Sequence, residues 1–161
     1  MFQQVEYKGS TQEQYQLLFK QLEALLEGEP NQTANLSNAA ALLYQFLPDV
    51  NWLGFYLYHP ADNELILGPF QGLPACIRIP MNKGVCGTAA YHRLTERVPD
   101  VTQFPGHIAC DGATQSEIVI PLMKEGKLVG VLDIDSPVHN RFSEEDQTYL
   151  EEFADLLIKY L

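Results

Sequence analysis

Three cysteines, Cys76, Cys86 and Cys110, lie in the middle of this chain. An odd count does not suit the disulfide framework of a secreted domain, and in a reducing compartment a thiol is either buried filler or a working nucleophile. Free cysteine is among the most buried residue types, so each of the three, taken alone, is more simply filler than reagent. Cys110 differs from the other two in its surroundings, a polar stretch His107-Ile-Ala-Cys-Asp-Gly-Ala-Thr114 without apolar periodicity. Asp111 beside it would raise its pKa and a protonated His107 would lower it, which leaves its ionisation open.

A second group of chemical residues follows seven positions later. Ser116 to Met123 and Lys127 to Asp135 alternate as strands around Lys124-Glu-Gly126. A two-residue type I′ turn would put Glu125 at positive φ, which its side chain resists, so a three-residue loop with Gly126 in the left-handed position is expected. That register sets Met123 opposite Lys127 and Glu117 directly across from Asp133, with Asp135 on the same face two residues on. Val119, Pro121, Val129 and Val131 should continue that face as an apolar surface.

Three carboxylates beside an apolar surface oppose one another's ionisation and raise at least one pKa. A carboxyl kept protonated could donate to a departing oxygen, and an ionised one could bind an ammonium group. If the Cys110 segment folds back over Glu117, a thiolate, an acid and an ammonium site share one pocket, with Cys76 or Cys86 as the second thiol. Such a set suits reduction of a small amine-bearing substrate at a polarised S–O bond. Attack of thiolate on sulfur leaves a sulfenic acid, which a second cysteine condenses to a disulfide. Spacing alone equally allows a solvated strand end.

The elements that must position these groups are legible in outline. Ser10-Thr-Gln-Glu13 is a capping box ahead of a helical repeat that stops at Gly28-Glu-Pro30, and a second repeat runs from Leu36 to Phe46. Trp52 to Tyr58 and Leu65 to Phe70 read as a hairpin, Cys76-Ile-Arg-Ile-Pro80 as a short strand, and Gly84 to Tyr91 as a helix rich in small residues. Val98 to Gln115 shows no sustained pattern, the mark of a lid or binding loop, and a last helix opens at Ser143. Hairpin-linked strands exclude a doubly wound parallel sheet. The expectation is one α+β domain over residues 1–161, a mostly antiparallel sheet with helices packed against it.

Composition narrows the function classes. With 161 residues, 46% hydrophobic and 19% charged, the chain is of single-domain size and globular in type. The formal net charge of −11 and the lack of any basic cluster make nucleic acid an improbable partner. No apolar run approaches the roughly 20 residues that span a bilayer, and no secretion signal opens the chain, so a soluble cytoplasmic protein without a membrane partner is expected. A zinc site made of the three cysteines and His107 is not expected, because no Cys-x-x-Cys or His-x-x-x-His spacing occurs.

Ile118-Val-Ile-Pro-Leu122, the Glu-Gly-Lys turn, Leu128-Val-Gly-Val-Leu-Asp-Ile-Asp-Ser136 and Arg141-Phe-Ser-Glu-Glu-Asp146 resemble a GAF domain. Within GAF proteins, the three-cysteine spacing, Gly84-Val-Cys-Gly-Thr-Ala-Ala90, Cys110-Asp111 and Leu132-Asp-Ile-Asp-Ser-Pro137 resemble the free methionine-(R)-sulfoxide reductases, over nearly the whole chain. The resemblance implies reduction of the free R sulfoxide of methionine, no bound cofactor, and recycling by thioredoxin. It aligns Cys110 with the nucleophile, and Cys76 and Cys86 with thiols that can form a disulfide with it, Cys76 being favoured as resolving residue. It aligns Glu117, Asp133 and Asp135 with the groups that hold the ammonium and assist loss of oxygen. Trp52 and Tyr56 would wall the S-methyl group, or else serve as sheet core. GAF domains often pair through terminal helices, which allows a homodimer. The competing reading is a non-catalytic GAF sensor for a small ligand such as a cyclic nucleotide, whose phosphate would meet three carboxylates unfavourably.

Overall fold

The structure, a computed structural model, describes residues 2–161. Two amphipathic helices open the chain, α1 (Thr11–Leu26) and α2 (Gln32–Phe46). The capping box at Ser10 and Glu13 starts the first, and the Asn31 side chain caps the second by accepting from the Ala34 N–H. Then come the hairpin β1 (Trp52–His59) and β2 (Glu64–Gln71), the edge strand β3 (Arg78–Pro80), α3 (Gly84–His92) and β4 (Glu96–Val98). The chain ends with β5 (Ser116–Lys124), β6 (Lys127–Ser136) and α4 (Glu144–Ile158), the last capped by a second box between Ser143 and Asp146.

The six strands form one antiparallel sheet in the order β3-β2-β1-β6-β5-β4. Strand alternation divides it into two faces. Leu53, Phe55, Ile118, Ile120, Leu132 and Ile134 meet the apolar stripes of α1, α2 and α4, and form the larger core. Trp52, Tyr56, Val119 and Val131 point the other way and pack against α3 through Val85, Cys86, Ala89 and Ala90. The first face supplies most of the buried apolar area, and the second carries the chemistry. Among the described residues no helix is long and apolar enough to cross a membrane.

Four expectations are corrected here. The β5–β6 turn is two residues long: Lys124 pairs with Lys127, and Glu125 and Gly126 both take positive φ, +51° and +76°. Glu125 therefore accepts the conformation that its side chain resists, in a turn whose twist matches the strands. A bulge between Leu122 and Met123 then skips one residue of β6, so Glu117 lies across from Asp135 and not Asp133. The bulge also turns Val129 toward the helix-covered core and brings Leu128 to the α3 face. The segment expected to lack regular structure, Val98 to Gln115, begins inside an edge strand, since Glu96–Val98 pairs with β5. Finally, Cys76 and Ile77 precede β3 and do not belong to it.

Candidate active site

On the α3 side of the sheet the central strands end in a pocket of about 40 Å3, room for about three water molecules. Three structures enclose it. The sheet contributes Trp52 and Tyr56 from β1, Glu117 from β5, and Asp133 and Asp135 from β6. The start of α3 contributes Gly84, Val85 and Cys86, and the segment between β4 and β5 folds over the top with His107, Cys110 and Asp111. All three carboxylates are thus on one face, as the alternation requires.

The aromatic wall is continuous. Trp52 stacks on Phe70 with ring centroids 5.2 Å apart and on Tyr56 at 5.9 Å. Its indole N–H donates to the Leu73 carbonyl, and the Tyr56 hydroxyl donates to the Cys76 carbonyl at 2.9 Å. Both rings are buried, so they act as sheet core and as pocket wall together. The Tyr56 bond fixes the backbone that carries Cys76.

The carboxyls of the acidic floor all hold their protons more tightly than usual. Burial pushes the Glu117 carboxyl well above its ordinary range, and Asp135 pushes it further. Asp133 is raised by burial and then by Glu117 beside it, and Asp135 by burial and then by Asp133 and Asp111. Cys86 is buried, with its Sγ 4.0 Å from Glu117 Oε1, and burial followed by the charge of Asp133 keeps it a thiol. Burial lowers the pKa of His107, so its contact at 3.4 Å from Glu117 is that of a neutral imidazole.

The loop carrying Cys110 is tied down at two places. Asn51, just before β1, donates through Nδ2 to Asp111 Oδ2 at 3.0 Å and to Thr114 Oγ1 at 3.1 Å. The second tie is covalent: Cys76 and Cys110 form a disulfide across the pocket mouth, their Cα atoms 5.9 Å apart. The structure therefore joins two of the cysteines and leaves Cys86 free and buried on α3.

Every residue singled out from the sequence is brought to this pocket or its rim. Three features were not anticipated. Asn51 has no chemical signature in the sequence. His107 was weighed for its effect on the Cys110 thiol and as a zinc ligand beside the cysteines, and its approach to Glu117 follows from the path of the loop. The third is the start of α3: Gly84 takes φ +60°, a conformation that favours glycine, and no side chain caps the helix. Its first N–H groups have no side-chain cap and belong to residues that line the pocket, a feature that the small residues of Gly84-Val-Cys-Gly87 could have suggested.

Comparison with known proteins agrees with this architecture. The family model for the GAF domain matches residues 21–161. Protein YtsP of Bacillus subtilis is 59% identical over 161 residues, covering 100% of this chain and 99% of that protein. The free methionine-R-sulfoxide reductase of Escherichia coli is 50% identical over 147 residues, covering 91% of this chain and 88% of that one. A solved structure of free methionine-R-sulfoxide reductase from Neisseria meningitidis in complex with its substrate superposes with a TM-score of 0.91, at 41% identity, covering 97% of this chain and 93% of that one. The chain belongs to the GAF-domain family and, within it, to the free methionine-R-sulfoxide reductases.

Proposed function

We propose that this protein reduces free methionine-R-sulfoxide to methionine, with Cys110 as nucleophile and Cys76 as resolving thiol. The observation that carries the proposal is the Cys76–Cys110 disulfide across the mouth of a pocket whose floor is three carboxyls and whose wall is aromatic. The names of relatives at about half identity point to the same substrate.

In the reduced protein the Cys110 thiolate attacks the sulfoxide sulfur. A carboxyl of the floor that burial keeps protonated delivers the proton to the oxygen, and the resulting hydroxyl passes from the substrate sulfur to the Cys110 sulfur as the bond between the two sulfurs breaks, releasing methionine and leaving Cys110 as sulfenic acid. Cys76 then attacks the Cys110 sulfur and the oxygen leaves as water, closing the disulfide. The net change is one sulfoxide and two thiols to one sulfide, one disulfide and one water. An external dithiol, for which thioredoxin is suited, returns the two electrons. No bound cofactor is needed for this balance, and a reducing cytoplasm would keep the resting thiols available.

The two ends of a free amino acid find opposite partners here. Its ammonium group matches Glu117, Asp133 and Asp135, of which at least one must ionise to receive it. Its carboxylate matches the uncapped N–H groups at the start of α3. Trp52 and Tyr56 suit the S-methyl group. With the disulfide closed, a cavity of about 40 Å3 is too small for an amino acid. The reduced form, freed of that tie, is the one that admits substrate.

A single-turnover experiment tests this directly. Fully reduced protein, mixed with free methionine-R-sulfoxide and no reductant, should form one methionine per chain, lose two thiols, and give a Cys76–Cys110 crosslinked peptide on digestion. Methionine formed with a Cys86-containing crosslink would reassign the thiols, and no methionine would remove the proposal.

A further inference from the structure

We infer that Cys86, Glu117 and Asp133 form a binding site for a divalent zinc ion, to which His107, beside Glu117 on the overlying loop, can swing in as a fourth ligand. The donor atoms of the first three lie within 4.8 Å of one another, and all three residues are buried. They come from three elements whose mutual placement is fixed by packing: α3, β5 and β6. His107 reaches in from the loop, with Nε2 3.4 Å from Glu117 Oε2.

A group of acids alone would not carry this. The second observation is Asp133: it is 6% exposed, it faces the pocket, and its Oδ1 has no hydrogen-bond partner among the described residues. A buried carboxylate oxygen left unpaired is costly, and Asp133 places a carboxylate oxygen within 4.8 Å of the Cys86 and Glu117 donors. The chemistry of the set then chooses the ion. Magnesium and calcium take oxygen donors alone, whereas one thiolate, one imidazole and two carboxylates form the mixed S, N, O set of tetrahedral zinc.

The donors are close to that geometry but not yet in it. Zinc bonds of roughly 2.0–2.3 Å at tetrahedral angles place neighbouring ligand atoms about 3.3–3.7 Å apart. Cys86 Sγ lies 4.0 Å from Glu117 Oε1, His107 Nε2 lies 3.4 Å from the other oxygen, Oε2, and the Cys86, Glu117 and Asp133 donors all lie within 4.8 Å of one another, so the donors must draw together by up to about 1 Å and Glu117 must turn one oxygen to the ion. Cys86 gives up its proton on binding, as zinc thiolates do. Because Cys86 lies outside the disulfide, the site survives oxidation of Cys76 and Cys110. Its ligands escape a search by sequence spacing because the chain separates them by 31 positions at Cys86 and Glu117 and assembles them only in the fold.

The site does not depend on the proposed reaction, but it bears on it. Zinc and the ammonium group of an amino acid would compete for Glu117 and Asp133, so zinc should act as an inhibitor competitive with substrate.

The test uses full-length protein with the Cys76–Cys110 disulfide intact, so that Cys86 is the only thiol. Titration with Co2+ should give one equivalent bound with a sulfur-to-cobalt charge-transfer band in the near ultraviolet, and Zn2+ should displace it. Cys86→Ser should lose the band and bind Zn2+ at least about ten-fold more weakly in competition with a chromophoric chelator. Asp133→Asn, which keeps the thiol, should retain the band at a similarly reduced affinity. Absence of the band in the parent protein, or unchanged Zn2+ affinity in Cys86→Ser, would overturn the inference. Neither result would bear on sulfoxide turnover in metal-free buffer, which is measured separately.

Discussion

Gly87, one residue after Cys86, is where the fold and the proposed chemistry can be separated by a single methyl group. A Cβ at this position would lie 2.4 Å from the Pro80 carbonyl oxygen and 3.3 Å from the Asn82 nitrogen. Ordinary contact begins at 3.4 Å, so α3 and the end of β3 must part by about 1 Å, and the obstructing atoms are backbone. The Gly87 carbonyl also accepts from the Asn82 N–H at 2.8 Å, a bond that the displacement strains. Overpacking of this kind costs about 1–3 kcal/mol, and alanine in a helix returns about 1 kcal/mol over glycine. The net loss for Gly87→Ala is then about 0–2 kcal/mol, a fall in Tm of at most about 8 °C. The effect on activity should be far larger. The displaced element carries Cys86 and the uncapped helix start, and a misplacement of about 1 Å in a site can cost about 100-fold in rate. Calorimetry and steady-state kinetics with free methionine-R-sulfoxide measure the two sides. A folded variant with kcat/KM within about two-fold of the parent would refute the claim that the start of α3 positions the substrate.

Other outcomes follow from the same geometry. Cys110→Ser should abolish turnover, Cys76→Ser should give one methionine per chain and then stall at the sulfenic acid, and Cys86→Ser should continue to turn over; sustained turnover by Cys110→Ser would move the nucleophile to Cys86. Glu117, Asp133 and Asp135 hold protons more tightly folded than unfolded, so their contribution to stability is fully present below about pH 4 and is lost as pH rises through their raised folded values. Urea unfolding of Asp133→Asn between pH 4 and 8 should therefore show a variant that loses less stability than the parent as pH increases, and parallel curves would contradict the raised pKa. Tyr56→Phe removes the donor to the Cys76 carbonyl and should cost about 1 kcal/mol in the same assay, an unchanged midpoint counting against that bond as an anchor.

Much of this site was legible because strand alternation is insensitive to error in one respect. The turn was expected to be one residue longer than it is, and the bulge at Leu122 and Met123 was not foreseen. Each displaces the register by one, the two add to a shift of two, and two residues along a strand return to the same face. Glu117, Asp133 and Asp135 therefore share a surface under either register, although the partner of Glu117 changes from Asp133 to Asp135. Val129 had no such protection, since it sits at the bulge itself and turns to the opposite core. The helices were readable from their caps, Ser10 with Glu13 and Ser143 with Asp146, because capping is local chemistry. β4 was not, because three residues, Glu96 to Val98, are too few to show a period and owe their conformation to β5. The pairing of Cys76 with Cys110 came from resemblance to a family and not from spacing: nothing local in the chain says that a loop 34 residues away closes on Cys76.

The central claim is tested most directly by methionine production from free L-methionine-(R)-sulfoxide under thioredoxin recycling, beside the S epimer and a peptide containing methionine sulfoxide. Sustained turnover of the free R epimer, with little from either control, is the result predicted by a pocket that grips both ends of an amino acid. No turnover of any sulfoxide, with the thiols shown to be reduced, would contradict it and leave a GAF ligand-binding module.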